Sequence, residues 1–481
     1  MITAKPKYKI KRMLPDELPQ PAELPESEES QVGDGAGFKS AAYVSAESAP
    51  PAAARKAKAP ARALKGKAPA RALKSKALPP PVRPSWVQQV FDYVEREVPA
   101  ESRVQNIAQL HKLLRRALLI EHSTIPPYLT ALYSIKDGTN IESVNIIRAV
   151  LVEEMLHMIL AANVLNAVGG EPVVNEPRFI PSYPLDLTDV LQPNTDDEDS
   201  NVLKYLSERA ESEDSETDGD GHTGHVRVQI LKFSMEAIDT FVAIETPEPT
   251  GPGAFGPITT IGQFYTLVIH GMEKLEEEAR RRGETIFTND PAWLARQIGP
   301  EHYYGSGGGA YMVTDLDRAR DALGEIICQG EGFKDICYKQ STDLGEYEEL
   351  GHYFRFMQIK KGHYYAPGDH PNDDPTGPQL KVDWDAVYNM KPNPKLKDFG
   401  GDAGLEAMGR QFNQTYLLLL DQIQRAFTGE PEALQEAVAI MFDLKYTAGG
   451  LMRVPLADGQ YMAGPIFGPG SRRAPLAKAK K

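Results

Sequence analysis

Two short stretches, "VEEMLHM" (Val152 to Met158) and "YEELGHY" (Tyr347 to Tyr353), each set Glu-Glu-x-x-His among apolar or aromatic residues. On an α-helix, residues three apart are separated by about 60° around the axis and residues four apart by about 40°. Glu154 therefore shares a face with His157, and Glu349 with His352. The face that carries Glu154 is apolar, because Ile147, Leu151, Ala161 and Leu165 fall along it with His157. An ionised carboxylate left unpaired in such surroundings is strongly destabilising. A bound cation resolves the conflict by supplying the missing positive charge.

Helical bundles that hold two metals use a Glu-x-x-His from each of two helices and a lone Glu from each of the other two. Glu121 fits the first lone position. It precedes Glu154 with the turn "KDGTN" about midway, so two antiparallel helices would bring both to one height. The second lone Glu must lie upstream of Glu349, where "EIICQGEG" offers Glu325 and Glu331. Glu331 is preferred because Gly330 and Gly332 leave room for close approach. The expected ligand set is thus Glu121, Glu154, His157, Glu331, Glu349 and His352.

Other residues are weighed beside these. Glu153 and Glu348 stand four before the histidines, so they are either alternative ligands or acceptors that orient the imidazoles. His122 points about 100° from Glu121 and reads as a satisfied helix histidine. His270 and Glu273 read as a structural pair. Glu245, an acid among apolar residues in "AIETPE", is either functional or bonded to backbone.

The elements that must position these groups are helical. "SRVQNIAQLHKLLRRALLIEHSTIPPYLTALYSI" has apolar residues at helical spacing, with a kink expected at Pro126 and Pro127, one turn after Glu121. Thr139 and Glu142 suggest a capping box opening a second, all-round apolar helix that ends at Gly169-Gly170. "HVRVQILKF" and "FVAIETPEP" read as short extended pieces. A third helix follows from Thr260 through a Thr-x-x-Gln box, a fourth near Leu316–Gly330 and a fifth about Glu346–Lys360. Two amphipathic helices come last, "AGLEAMGRQFNQTYLLLLDQIQRAFTG" and "EPEALQEAVAIMFDLKYTAGG". "GSGGGA" follows no clear strand and reads as a flexible loop or lid.

Bulk composition sets outer limits. The 481-residue chain is 41% hydrophobic, and no run approaches the length of a membrane span. Its start lacks the apolar stretch of a secretory leader, and it has two cysteines, Cys328 and Cys337. A reducing, cytoplasmic setting without a disulfide scaffold is expected. Net charge is −14, although residues 51–84 carry ten Lys or Arg and no acid. An acidic body argues against general nucleic-acid binding by the folded part.

Three regions are expected: a disordered Pro/Ala/Lys-rich arm over 1–84, a metal-binding domain over 85–470 and a basic tail over 471–481. The arm contains the repeat "KAPARALKG"/"KAPARALKS", and the domain carries an acidic insertion over about 191–224. The basic arm reads as a tether or a dock for a protein, a membrane surface or nucleic acid. No Walker loop, nucleophile elbow or dinucleotide fingerprint stands in a suitable context.

Together, "EHSTIPPYLTALYSI", "VEEMLHMILAANVLNAVGGEP", "TIGQFY", "CQGEGF" and "ELGHYFRF" resemble the ferritin-like domain of the iminophenyl-pyruvate dimer synthase family. The likeness runs from about Ile107 to "AGPIFGP" and is to that domain alone, without the further large region of those enzymes. "IGEFY" is common at the third helix, and here Gln263 takes its acidic place. The resemblance implies a mainly α, ferritin-like bundle and the same six iron-site candidates. It also implies an O2- or peroxide-using oxidoreductase that couples imines derived from aromatic amino acids. Two iron ions are expected, with manganese as an alternative, and haem, described in that family, is left open. The other functional readings are a manganese-catalase-like peroxide dismutase and iron handling or storage. A small-molecule substrate and a homo-oligomer complete the expectation.

Overall fold

A computed structural model describes residues 83, 85–187, 190, 202, 226–247, 260–303, 305, 308–331 and 350–469. Nearly all of the basic arm, most of the acidic insertion, the basic tail, Glu348 and Glu349 lie outside the described residues, as does the side chain of Glu331. The architecture is mainly α, as expected. The helices used below are α1 (Ser85–Glu97), α2 (Ile107–Ser134), α3 (Ile141–Ala167), α4 (Met235–Ile244), α5 (Ile261–Arg281), α6 (Leu316–Ile326), α7 (His352–Lys361), α8 (Ala403–Phe427) and α9 (Ala433–Leu451). A two-residue antiparallel pair, Leu185–Asp186 with Arg227–Val228, is the one sheet among the described residues. No helix among them is long and apolar enough to cross a membrane.

The frame is the α2–α3 hairpin. Asn106 caps α2 by accepting from the Gln109 N–H, and Leu110, Leu113, Leu114, Ala117 and Leu118 are buried along it. Full burial of one such leucine stabilises by about 1.5–3 kcal/mol. α2 continues through both prolines rather than stopping at them. Pro127 has no N–H for the Ser123 carbonyl, and the Tyr183 hydroxyl donates to that carbonyl instead, at 2.8 Å. α3 is buried nearly all round from Leu156 to Ala167.

Its start differs from the expected capping box. Asn140 occupies the N-cap with φ 48° and makes no side-chain cap, while Thr139 donates to the Lys136 carbonyl at 2.7 Å. The Asn140 amide is engaged by the Asp383 backbone, donating to its carbonyl at 2.8 Å and accepting from its N–H at 2.7 Å. A long-range contact displaces the local motif.

A second correction concerns "FVAIETPEP". Its first part is helical, because Ser234 caps α4 by accepting from Ala237 N–H, and Ile238, Phe241 and Ile244 are buried at helical spacing. The Thr260–Gln263 box does cap α5 as anticipated, so Gln263 serves the helix start.

Around the hairpin, α5 packs on α1 and α2, α6 on α3, and α4 on α7, while α8 and α9 form a second hairpin that meets α2 and α3. α6 passes directly into a π-helical turn, Ile327–Glu331. Such turns widen a helix locally and recur at functional sites.

Candidate metal centre

Glu121 on α2, Glu154 and His157 on α3, Glu245 at the C-cap of α4 and His352 at the first position of α7 converge inside the bundle. All five are buried, with Glu245 the most exposed at 1%. Two overlapping groups form, Glu121–Glu154–His157 and Glu154–Glu245–His352, and within each the ligand atoms lie within 4.8 Å of one another. Glu154 belongs to both.

Each side chain is held at one atom and leaves another facing the centre. Tyr265 donates to Glu121 Oε1. Thr124 donates to Glu154 Oε2 at 2.7 Å, and Tyr128 donates to Glu245 Oε1 at 2.5 Å. His157 Nε2 meets Gln329 Oε1 at 2.8 Å, and His352 Nε2 meets Glu153 Oε2 at 2.8 Å. With those Nε2–H groups donating, both Nδ1 atoms carry lone pairs toward the carboxylates.

The inward atoms are Glu121 Oε2, Glu154 Oε1, His157 Nδ1, Glu245 Oε2 and His352 Nδ1, and none of them has a hydrogen-bond partner. His157 Nδ1 lies 3.4 Å from Glu121 Oε2 and 4.0 Å from Glu154 Oε1. His352 Nδ1 lies 2.8 Å from Glu154 Oε1 and 3.4 Å from Glu245 Oε2. Lone pairs held this close repel one another unless positive charge stands between them.

Without a cation, protons supply that charge. Burial raises the Glu154 carboxyl above its ordinary range, and the Glu245 charge adds to the rise. Burial alone would lower the two imidazoles. Glu121 and Glu154 more than offset it at His157, and Glu245 with Glu153 does so at His352, so both are raised. Buried, unpartnered oxygen and imidazole donors of this kind fit first-row divalent cations.

Of the residues expected from sequence, Glu121, Glu154, His157 and His352 come together, while the Glu331 and Glu349 side chains fall outside the described residues. Glu245 joins them. Glu325 stands apart from the five, accepting from Gln329 Nε2 at 3.2 Å. Gly330 lies against the centre. A Cβ there would fall 2.6 Å from His352 Nδ1 and 2.8 Å from Glu245 Oε2.

Glu153 is not on the inner ring. It accepts from Arg355 Nη1 at 3.0 Å, pairs with Arg355 Nη2 at 2.9 Å and orients His352, the histidine of the other motif. Burial would raise its carboxyl, but His352 and Arg355 hold it below the ordinary range.

The remaining candidates are structural. His122 Nδ1 meets the Phe179 carbonyl at 3.2 Å and its Nε2 meets the Tyr416 hydroxyl at 2.6 Å. His270 meets Glu95 at 3.1 Å, and Glu273 accepts from Arg320 at 2.6 Å.

Fold and site define a helical bundle with a buried carboxylate–histidine centre able to hold metal. The ferritin-like family matches residues 114–361, more than half of the 481-residue chain, and the chain belongs to that family. A crystal structure of a ferritin-like protein from Caulobacter vibrioides is similar at 21% identity and a TM-score of 0.45, covering 76% of this chain and 99% of that one. No curated protein matches.

Proposed function

We propose that the chain is a dinuclear metal oxidoreductase that uses O2 or peroxide. The carrying observation is the set of five inward donor atoms, buried, unpartnered and drawn from four helices. Glu121, Glu154 and His157 would hold one ion, and Glu154, Glu245 and His352 would hold the other. Glu331 remains a proposed further ligand. α7 begins at His352 with Gly351 as its N-cap, rather than near Glu346, so the helical face expected to join Glu349 to His352 does not form and Glu349 rests on the resemblance alone. Two bound iron ions would supply the electrons that reduce O2 or peroxide.

The chain's own residues do the rest. The hydroxyls of Tyr265, Thr124 and Tyr128 fix one oxygen of each carboxylate, which leaves the other oxygen free for the cation. Gln329 and Glu153 fix the imidazole tautomers. The apolar walls contributed by Leu151 and Ala161 exclude bulk water. The resemblance to the iminophenyl-pyruvate dimer synthases supports an aromatic amino-acid-derived imine as the substrate. Joining two such molecules releases two protons and two electrons, which convert one peroxide to two waters.

Oxygen and imidazole donors also suit manganese, so a manganese-catalase-like dismutase is the second reading. Full-length protein loaded anaerobically with Fe(II) or Mn(II), desalted and analysed for metal should hold about two ions per chain. Glu154→Ala should lose most of both ions, because it removes the shared ligand. A metal-loaded wild-type protein that retains none after desalting sinks the reading. O2 evolution from peroxide by the manganese form, without imine coupling by the iron form, selects the dismutase.

A further inference from the structure

On the other side of the α2–α3 hairpin lies a feature that the metal centre does not use. Val152 and Ile159 sit about 140–160° around α3 from Glu154. They face a cavity of about 230 Å³ between this hairpin and α8–α9. Met155, Met158, Leu419, Ile423, Phe427 and Met441 make its walls. The polar side chains at its edge include His122 and Tyr416, which are bonded to each other. The cavity shares Leu129, Val152, Met155, Val438 and Met441 with a groove of about 1320 Å³ that opens to solvent.

The mouth of the groove has a different character. Ile141, Phe442 and Tyr446 line it while remaining 56%, 70% and 84% exposed. Lys136, Arg148, Lys445 and Arg453 stand beside them, against one acid, Asp137, which pairs with Arg453 at 3.3 Å. Lys136, Arg148 and Lys445 form no ion pair among the described residues. In a chain of net charge −14, a cationic rim on an apolar channel runs against the general balance.

We propose that this channel binds a long-chain fatty carboxylate, with its head at Arg148 and Lys445 and its alkyl chain running past Met155 and Met441 into the cavity. A slender chain follows the wide groove into the smaller apolar cavity, which a broad protein surface does not. The walls offer little for a polar tail to bond, so an alkyl tail matches them. The three unpaired cations select an anion over a neutral lipid. None of the five inward donors of the metal centre lines this site.

Calorimetry on the full-length protein, with decanoate, laurate and myristate below their micellar concentrations, tests the assignment. One molecule should bind per chain, and affinity should rise by up to about fourfold for each added methylene until the cavity is full. Dodecanol should bind roughly tenfold more weakly than laurate. The double variant Arg148→Glu/Lys445→Glu lies at the exposed mouth and should weaken laurate by a similar factor. It should leave dodecanol affinity and metal content unchanged. Ala437→Trp, at a buried position on the cavity wall, should abolish binding of both. Absence of laurate binding overturns the proposal, as does binding that is indifferent to the charge-reversal pair. A dimer that this pair dissociates, in a protein that ignores laurate, would make the groove an interface between copies and overturn it equally.

Discussion

At the scale of single residues, the two imidazoles are backed differently. His352 donates to a carboxylate that is itself gripped by a guanidinium, whereas His157 donates to the amide of Gln329. A carboxylate partner makes an imidazole a more basic ligand than an amide does. The Glu154–Glu245–His352 position should therefore take the first equivalent of Mn(II) or Zn(II). Replacing Glu153 by Gln together with Arg355 by Leu, so that no buried guanidinium is stranded, should weaken that first equivalent by roughly 10–100-fold. Competition with a chromophoric chelator measures it, and an unchanged first affinity would refute the asymmetry. Only part of this backing was legible in the sequence, where Glu153 reads as an alternative ligand or an imidazole acceptor. Tyr128 and Tyr265 look like ordinary core aromatics, and Glu153 bonds a histidine almost two hundred residues away.

At the scale of elements, helical periodicity made α2 and α3 legible, since both must bury apolar faces and the turn between them is short. The Glu121, Glu154 and His157 cluster followed from that hairpin alone. Glu245 was only half legible, because it sits one residue beyond α4 and reaches the centre through the packing of α4 on α7. Local motifs failed where distant partners intervened, as at Asn140, whose amide serves Asp383 instead of its own helix. The π-helical turn after α6 was read from its glycines as a place of close approach, and Gly330 does lie beside His352 and Glu245. Gly330→Ala should push a methyl between those two side chains. Metal bound per chain should fall by about half or more while the helical circular dichroism stays at the wild-type level. Full metal retention would show that the turn yields easily.

For the whole molecule, the fold is sensitive to acid partly through its buried histidines. Burial pushes His270 down to about 4, although the facing Glu95 opposes the shift and Lys274 and Arg103 add to it. The unfolded chain binds this proton near pH 6.5, and the folded one does so only near 4. Its contribution to stability is therefore complete above about pH 6.5 and is lost as pH falls toward 4, at up to about 1.4 kcal/mol per pH unit. Between about pH 7.5 and about pH 5, urea denaturation should show wild type losing about 2 kcal/mol more than His270→Gln. Equal losses in the two proteins would assign the acid sensitivity elsewhere.

The inward donors are also scattered along the chain, from Glu121 to His352. While the polypeptide is still emerging from the ribosome, Glu121, Glu154 and His157 can meet as soon as the first hairpin closes. The other half must await α4 and α7. Loading of the complete centre is thus a late event in the protein's biogenesis. A chain halted before residue 350 would offer a cation the Glu121–Glu154–His157 pocket and would lack His352 for the other.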